Sequence, residues 1–285
     1  MSTQVPRLLA GLVDDAAVFP PGSASLPDAV AAHHEHRASW YAELVGPLLV
    51  PASAVVAGEL DGLAGGVVTG LIGDTGIGRL PAALARLDAA GSTVRQVEVA
   101  VARRGEDPRP GLTALRDLVT GPDDLDWYAE LPLTFGLTSA LDTLAEARAS
   151  GLPIAAKFRT GGLAAELFPT PVELAAVICA CRDRNLPFKL TAGLHHAVRH
   201  LDPETGFTHH GFGNVLAATL AAVDGAEVDA VAVLLAATDA ARLAEPVRAA
   251  GDADRPLWVG FGSCSVREPL TDLIRLGLVN GGFDR

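Results

Sequence analysis

From Val45 onward the chain repeats one pattern of apolar and polar positions. A short apolar run is followed by a turn of Gly, Asp or Thr, and then by a longer stretch rich in Ala, Leu and Arg. The runs are Pro47–Val50, Val67–Ile72, Val94–Val101, Trp127–Leu133, Ile154–Phe158, Pro187–Leu190, Ala230–Leu235 and Leu257–Phe261. Short apolar runs bounded by turn residues are the pattern of strands buried on both faces. The intervening stretches, such as Pro81–Ala90, Ala140–Ala149, Pro171–Arg184 and Ala236–Ala249, have helical composition. Two helix starts are marked by capping boxes, Thr170-Pro171-Val172-Glu173 and Ser265-Val266-Arg267-Glu268, the first with proline in the first helical position. Eight strand–helix units in about 240 residues predict an α/β fold, a TIM (βα)8 barrel. The rival, a doubly wound open sheet, lacks a Gly-rich fingerprint after its first strand. Residues 1–43 then form an N-terminal extension, and residues 44–285 the barrel. The extension holds an acidic turn at Asp14-Asp15, the pair Pro20-Pro21, and a helix expected to begin near Leu26.

Side chains alternate along a strand, so each run divides into an outer, helix-facing set and an inner one. Ile154, Ala156 and Phe158 form an apolar outer face and turn Ala155, Lys157 and Arg159 inward. Phe188 and Leu190 outside leave Lys189 and Thr191 inside. Val97, Val99 and Val101 outside leave Gln96 and Glu98 inside, and the neighbouring run offers Tyr128 and Glu130. Four adjacent strands thus direct Glu98, Glu130, Lys157 with Arg159, and Lys189 with Thr191 toward one interior. Charges there are costly unless paired, and the C-terminal mouth of this fold is where chemistry is carried out. Lys157 and Lys189 are also the two lysines of the chain, every other cation being arginine. A guanidinium stays protonated at working pH, whereas a desolvated ammonium can be made nucleophilic.

The loops that follow carry further candidates. His195, His196, His200, His209 and His210 fall within 16 residues, which raises a metal reading, but the spacing matches no ligand motif. Asn214 closes the segment His209-His-Gly-Phe-Gly-Asn214 at the start of a helix. After the last run, Gly260-Phe-Gly262-Ser263-Cys264-Ser265 brings backbone N–H groups to a helix N-terminus, a seat for carboxylate or phosphate. Cys179 and Cys181 are expected to serve packing.

Composition narrows the function. With 22 basic and 34 acidic residues the net charge is −12, which opposes binding to nucleic acid or to an anionic membrane. The first residues show no signal-peptide pattern and no stretch is long and apolar enough to span a bilayer. Three cysteines without zinc spacing fit a reducing cytoplasm.

The two lysine segments resemble the class I, Schiff-base aldolases such as the deoxyribose-phosphate aldolase family. That family carries Lys-x-x-Thr-Gly on one barrel strand and Lys-x-Ser/Thr-x-Gly on the next. Here the matching stretches are Lys157-Phe-Arg-Thr160-Gly161 and Lys189-Leu-Thr191-Ala-Gly193. The resemblance spans about forty residues and implies that Lys157 forms the Schiff base while Lys189 lowers its pKa. It departs from the family in three ways. The lysines fall on the fifth and sixth runs, one earlier than in the family; Arg159 replaces a small residue; and the histidine-rich loop has no counterpart. The Asp14-Asp-Ala-Ala-Val18 string also resembles a metal-binding fragment of thiamine-phosphate kinases, over that string alone. Phe19-Pro-Pro21, Lys157-x-Arg159-Thr-Gly-Gly162, Thr191-Ala-Gly-Leu-His-His196 and His210-Gly-Phe-x-Asn214-Val215 also make the wider chain similar to a family of bacterial proteins, a likeness that implies no activity.

The expectation is a cytoplasmic class I lyase of aldolase type acting on a small anionic carbonyl compound without a cofactor or metal. Catalytic roles fall to Lys157, Lys189, Glu130 and Glu98. Substrate contacts are assigned to Arg159, Thr191, His195, His196, His210, Asn214, Gly262 and Ser263. The alternatives are a divalent metal held by His195, His196 or His210 with Glu130, and a non-catalytic protein that captures an anionic metabolite. A homo-oligomer is left open.

Overall fold

A computed structural model describes residues 5–119 and 125–281. Eight parallel strands close into a barrel: β1 (Val13–Asp15), β2 (Val45–Pro51), β3 (Val68–Ile72), β4 (Thr93–Ala100), β5 (Asp126–Glu130), β6 (Ile154–Arg159), β7 (Phe188–Thr191) and β8 (Trp258–Ser263). Each strand pairs with its sequence neighbour, and β1 closes the ring against β8 through Val13–Phe261, Asp14–Gly262 and Asp15–Ser263. The TIM-barrel architecture is therefore present, and its outer strand faces are the apolar ones. Ile154, Ala156, Phe158, Phe188 and Leu190 are all buried in the layer between sheet and helices. None of the described helices is long and apolar enough to cross a membrane.

One of the eight strands is not the one the pattern predicts. Ala230–Leu235 lies inside a helix, Val228–Ala236, and the missing strand comes from the supposed N-terminal extension as β1. The run of Ala, Val and Leu has no internal turn, and such runs satisfy either period. Burial of Val231, Ala232 and Leu235, with Val233 left 49% exposed, follows the helical spacing. The described residues 5–43 accordingly supply a strand of the barrel rather than an appendage to it. The change renumbers the lysines, which stand on the sixth and seventh barrel strands.

The N-terminal segment also seals the floor. Arg255 donates to the carbonyls of Leu8, Ala10, Trp258 and Val259, which ties the chain before β1 to the base of β8. Burial pulls its guanidinium down to about 10. Arg255→Met keeps the apolar stem but leaves these acceptors unpaired. It is expected to cost about 3 kcal/mol, since charged hydrogen bonds contribute roughly 1.5–3 kcal/mol. The check is a lowered urea midpoint at unchanged slope.

Above the barrel, helix Pro171–Asp183 starts at the capping box predicted for Thr170 and Glu173, both halves of which form. The second box is half formed. Ser265 Oγ accepts from the Glu268 N–H at 3.3 Å, but the Glu268 carboxylate turns to His195. Helix Leu26–Ala38 begins where the sequence indicates, and the structure adds Ser25 as its cap.

Candidate active site

Because β6 and β7 are in register at Lys157 and Lys189, both ammoniums enter the barrel at the same level of the sheet. Glu98 on β4 lies between them, with Oε2 at 2.8 Å from Lys157 Nζ and Oε1 at 2.6 Å from Lys189 Nζ. Glu130 on β5 receives Lys157 at 2.9 Å through one oxygen and Arg159 at 3.3 Å through the other. On the opposite side Lys189 donates to Asp14 of β1. Gln96 fixes the arrangement by donating at 2.8 Å to both Asp14 and Glu98. The Tyr128 ring stands 5.0 Å from Lys189 Nζ, a cation–π contact. One chain of charge thus crosses the barrel from Asp14 through Lys189, Glu98, Lys157 and Glu130 to Arg159.

The alternation that predicted Gln96, Glu98, Tyr128, Glu130, Lys157 and Lys189 as inward holds for all six. Asp14 was missed as a member of the site. Its strand is only three residues long, too short to show a period, and the acidic pair resembles an ordinary turn. A useful signal was the apolar stretch Leu8–Val13 immediately before it.

Electrostatics in this interior differ from the expectation for a free nucleophile. Burial disfavours the Lys157 ammonium, but Glu130 and Glu98 outweigh burial and hold its pKa above the usual lysine value. Lys189 is raised too, with Asp14 and Glu98 overcoming the same penalty. Burial also opposes ionisation of Glu98, yet the two ammoniums bring its carboxyl down to about 2. Glu130 is lowered by Lys157 and Arg159 against burial, while Asp14 is raised, burial prevailing over Lys189. Lys189 therefore does not depress Lys157, because two carboxylates lie closer to Lys157 than its like charge can offset. In the resting protein Lys157 is an ammonium.

The Thr-Gly and Ala-Gly portions of the two motifs have a structural role. Thr160 Oγ1 donates to the Ala192 carbonyl at 2.6 Å. A Cβ added at Gly161 would come within 2.9 Å of Gly193 Cα, and Gly193 itself has φ +76°. The tops of β6 and β7 can approach this closely only without side chains at both positions. That approach keeps the lysines side by side.

At the mouth over β4, β5 and β6 lies a cleft of ≈ 320 Å³. Its floor includes Glu130 and Arg159, and its walls come from Ala102–Arg104, Leu131–Leu133, Glu166, Leu167 and Pro169. The Glu130 side chain is 16% exposed and that of Lys157 only 4%, so a ligand in the cleft meets Glu130 first.

The remaining predicted contacts separate into other roles. His210 is fully buried; its Nε2 donates to the Pro169 carbonyl at 2.7 Å and its Nδ1 accepts from Arg199 at 3.3 Å. Burial pushes its pKa down to about 4, so the ring is neutral and braces a cleft wall from behind. Asn214 is buried as well: it accepts from the Arg199 N–H and donates to the carbonyls of Leu234 and Ala237, capping the end of helix Val228–Ala236. His195 pairs with Glu268 at 3.1 Å, with the Cys264 thiol 3.8 Å away, and His196 pairs with Asp272 at 3.2 Å. Neither histidine hydrogen-bonds Glu130. No cluster of three or more His, Cys, Asp or Glu side chains is gathered as a metal site among the described residues. The metal-dependent alternative consequently has no centre built from His195, His196 or His210 with Glu130.

Gly262 and Ser263 are strand residues of β8, Gly262 pairing with Thr191. The expected anion seat beyond them is occupied by the chain itself. Ser265 N–H donates to Ser263 Oγ at 3.4 Å, and Ser263 Oγ donates in turn to the Ser265 carbonyl at 2.8 Å. None of Gly260–Ser265, nor Thr191, lines the cleft. Arg103 and Arg104, which do line it, carried no sequence signal beyond an arginine pair in a loop. Cys179 and Cys181 are buried on their helix, and burial pushes the Cys181 thiol up to about 12. No protein-family model matches this chain, and no curated protein or solved structure matches it either.

Proposed function

We propose that the protein is a class I lyase of aldolase type that binds a small anionic carbonyl compound in the cleft and forms a Schiff base with Lys157. The observation that carries this reading is the placement of Lys157 within a buried charge relay, held by Glu98 on one side and on the other by Glu130, which lines the cleft. Its position on the sixth strand, with Lys189 in register on the seventh, also removes the one-strand departure from the aldolase pattern.

The resting ammonium requires activation on substrate entry. Glu130 is the acceptor within reach, at 2.9 Å. Its basicity is held down by Lys157 and then by Arg159; Lys157 loses its charge in the transfer itself, and an anion that engages Arg159 offsets the second, so Glu130 can take the proton. The neutral amine then attacks the carbonyl carbon, and the carbonyl π electrons move to oxygen, which picks up a proton from nitrogen. Protonated Glu130 delivers its proton to the carbinolamine hydroxyl, which leaves as water, and the nitrogen lone pair completes the iminium. Throughout, Glu98 keeps a negative charge beside the new cation, and Lys189 holds Glu98 in place.

The test is incubation with a panel of small oxo acids and aldehydes in the presence of borohydride, followed by peptide mass analysis. A reduced adduct on Lys157 is expected. Its initial rate should climb between about pH 7 and about pH 10, since the ammonium is held above the ordinary lysine value of ~10.4. Saturable ligand binding with no adduct from any carbonyl compound at any pH would make Lys157 an electrostatic contact and the protein a binder.

A further inference from the structure

The cleft holds six charged side chains: Arg103, Arg104, Arg159, Glu130, Glu166 and Glu173. They are not equally available. Glu173 is committed to its helix cap, accepting from Thr170 N–H at 2.7 Å and Thr170 Oγ1 at 2.8 Å. Glu130 is shared between Lys157 and Arg159. Arg104 donates to the Glu166 carbonyl at 3.1 Å, and Arg103 uses its backbone N–H, not its guanidinium, on Glu106 at 2.9 Å. Neither guanidinium has a carboxylate partner among the described residues, in contrast to Arg7, Arg109, Arg182 and Arg184. Leu131, Leu133 and Leu167 contribute apolar side chains to the same lining. The combination of guanidinium groups without carboxylate partners and a short apolar lining, in a cavity at the lower end of ligand-site volumes, selects a small amphiphilic anion.

We propose that Arg103 and Arg104, on the loop after β4, join Arg159 to clasp the oxyanion of the ligand, a carboxylate or phosphate, with the ligand's short apolar stem on the leucine wall. The lyase reading supplies the identification of this cleft as the substrate site, but the clasp itself requires no imine. The site differs from the Gly260–Ser265 turn, whose hydroxyl and N–H groups bond one another. Glu166 is exposed, lines the cleft and has no side-chain partner among the described residues, so its carboxylate is left to oppose the anion.

Binding is measured by calorimetry on the full chain with phenylpyruvate, pyruvate, inorganic phosphate and acetone. Acetone is the uncharged counterpart of pyruvate. Arg103→Ala/Arg104→Ala alters two exposed side chains and should weaken phenylpyruvate and pyruvate by about tenfold or more, since charge-assisted contacts to an oxyanion are among the strong ones. Glu166→Gln should tighten both severalfold. Phenylpyruvate should bind more tightly than pyruvate, and acetone should not compete. Displacement by inorganic phosphate that disappears in the double variant supports the clasp and identifies phosphate as its preferred oxyanion. A double variant that binds phenylpyruvate within about twofold of the parent overturns the proposal, as does acetone competing as well as pyruvate. Borohydride trapping in the parent, read beside binding in the arginine double variant, separates the two readings. Arginine-dependent binding without an adduct in the parent defeats only the lyase reading. An adduct with arginine-independent binding defeats only the clasp.

Discussion

Lys157→Arg is expected to abolish borohydride trapping while the protein stays folded, because arginine preserves the charge beside Glu98 and Glu130 but cannot become a neutral amine. The loss should be complete, with no residual adduct at other positions. Lys189→Arg should lower the trapping rate by a smaller factor, since a cation remains beside Asp14 and Glu98, though its planar fork fits the space of an ammonium poorly. Circular dichroism and the thermal midpoint establish that each variant is folded. An adduct that persists in Lys157→Arg and migrates to Lys189 would exchange the roles of the two lysines. Equal loss in both variants would mean that the pair acts as a unit, and the assignment of one nucleophile would fail.

The second large effect concerns stability. Glu98 accepts from two buried ammoniums and from Gln96, so it neutralises charge at the centre of the barrel. Glu98→Gln preserves shape and removes that charge, leaving Lys157 to Glu130 and Lys189 to Asp14 alone. Removing one member of a buried ion pair costs about 3–5 kcal/mol, and urea unfolding should show a loss of that order. Restoring balance with Lys189→Met in the same chain should recover part of it, as the second charge no longer needs a partner. A loss below about 1 kcal/mol in Glu98→Gln would mean that water or rearrangement solvates the interior, contrary to the burial of Glu98 and Lys189, each 1% exposed.

The same residue sets an acid limit. The Glu98 carboxyl is depressed to about 2 in the folded protein against ~4.3 in an unfolded chain. Its stabilising contribution is full above the unfolded value and is lost as pH falls through that value toward about 2, the unfolded state binding more protons in that window. Asp14, raised by burial, works in the opposite direction, the folded state holding its proton to higher pH.

Much of the interior was legible from the chain because period-two alternation is a local property of a strand. Once Phe158, Leu190 and Val97 are taken as the outer face, Lys157, Lys189 and Glu98 have to point inward. Counting the strands was harder. Three residues at Val13–Asp15 are too few to display a period, and Ala230–Leu235 fits helix and strand alike. Closure of the ring decided both, since the floor held by Arg255 delivers β1 to the gap beside β8.

The sequence alone determined that two lysines and two glutamates would share the inside of an α/β barrel, because charge can be tolerated there only in pairs. The tertiary structure alone decided which group holds which. Ion pairing depends on ångström distances across four strands, and those distances bring Glu98 and Glu130 onto Lys157 and so keep it protonated. The loops were undetermined for the same reason. His210, Asn214, Ser263 and Ser265 have ligand-binding chemistry, yet their hydrogen bonds are made within the chain. Arg103 and Arg104, unremarkable in sequence, reach the cleft only because β4, β5 and β6 bring their loops together at one end of the barrel.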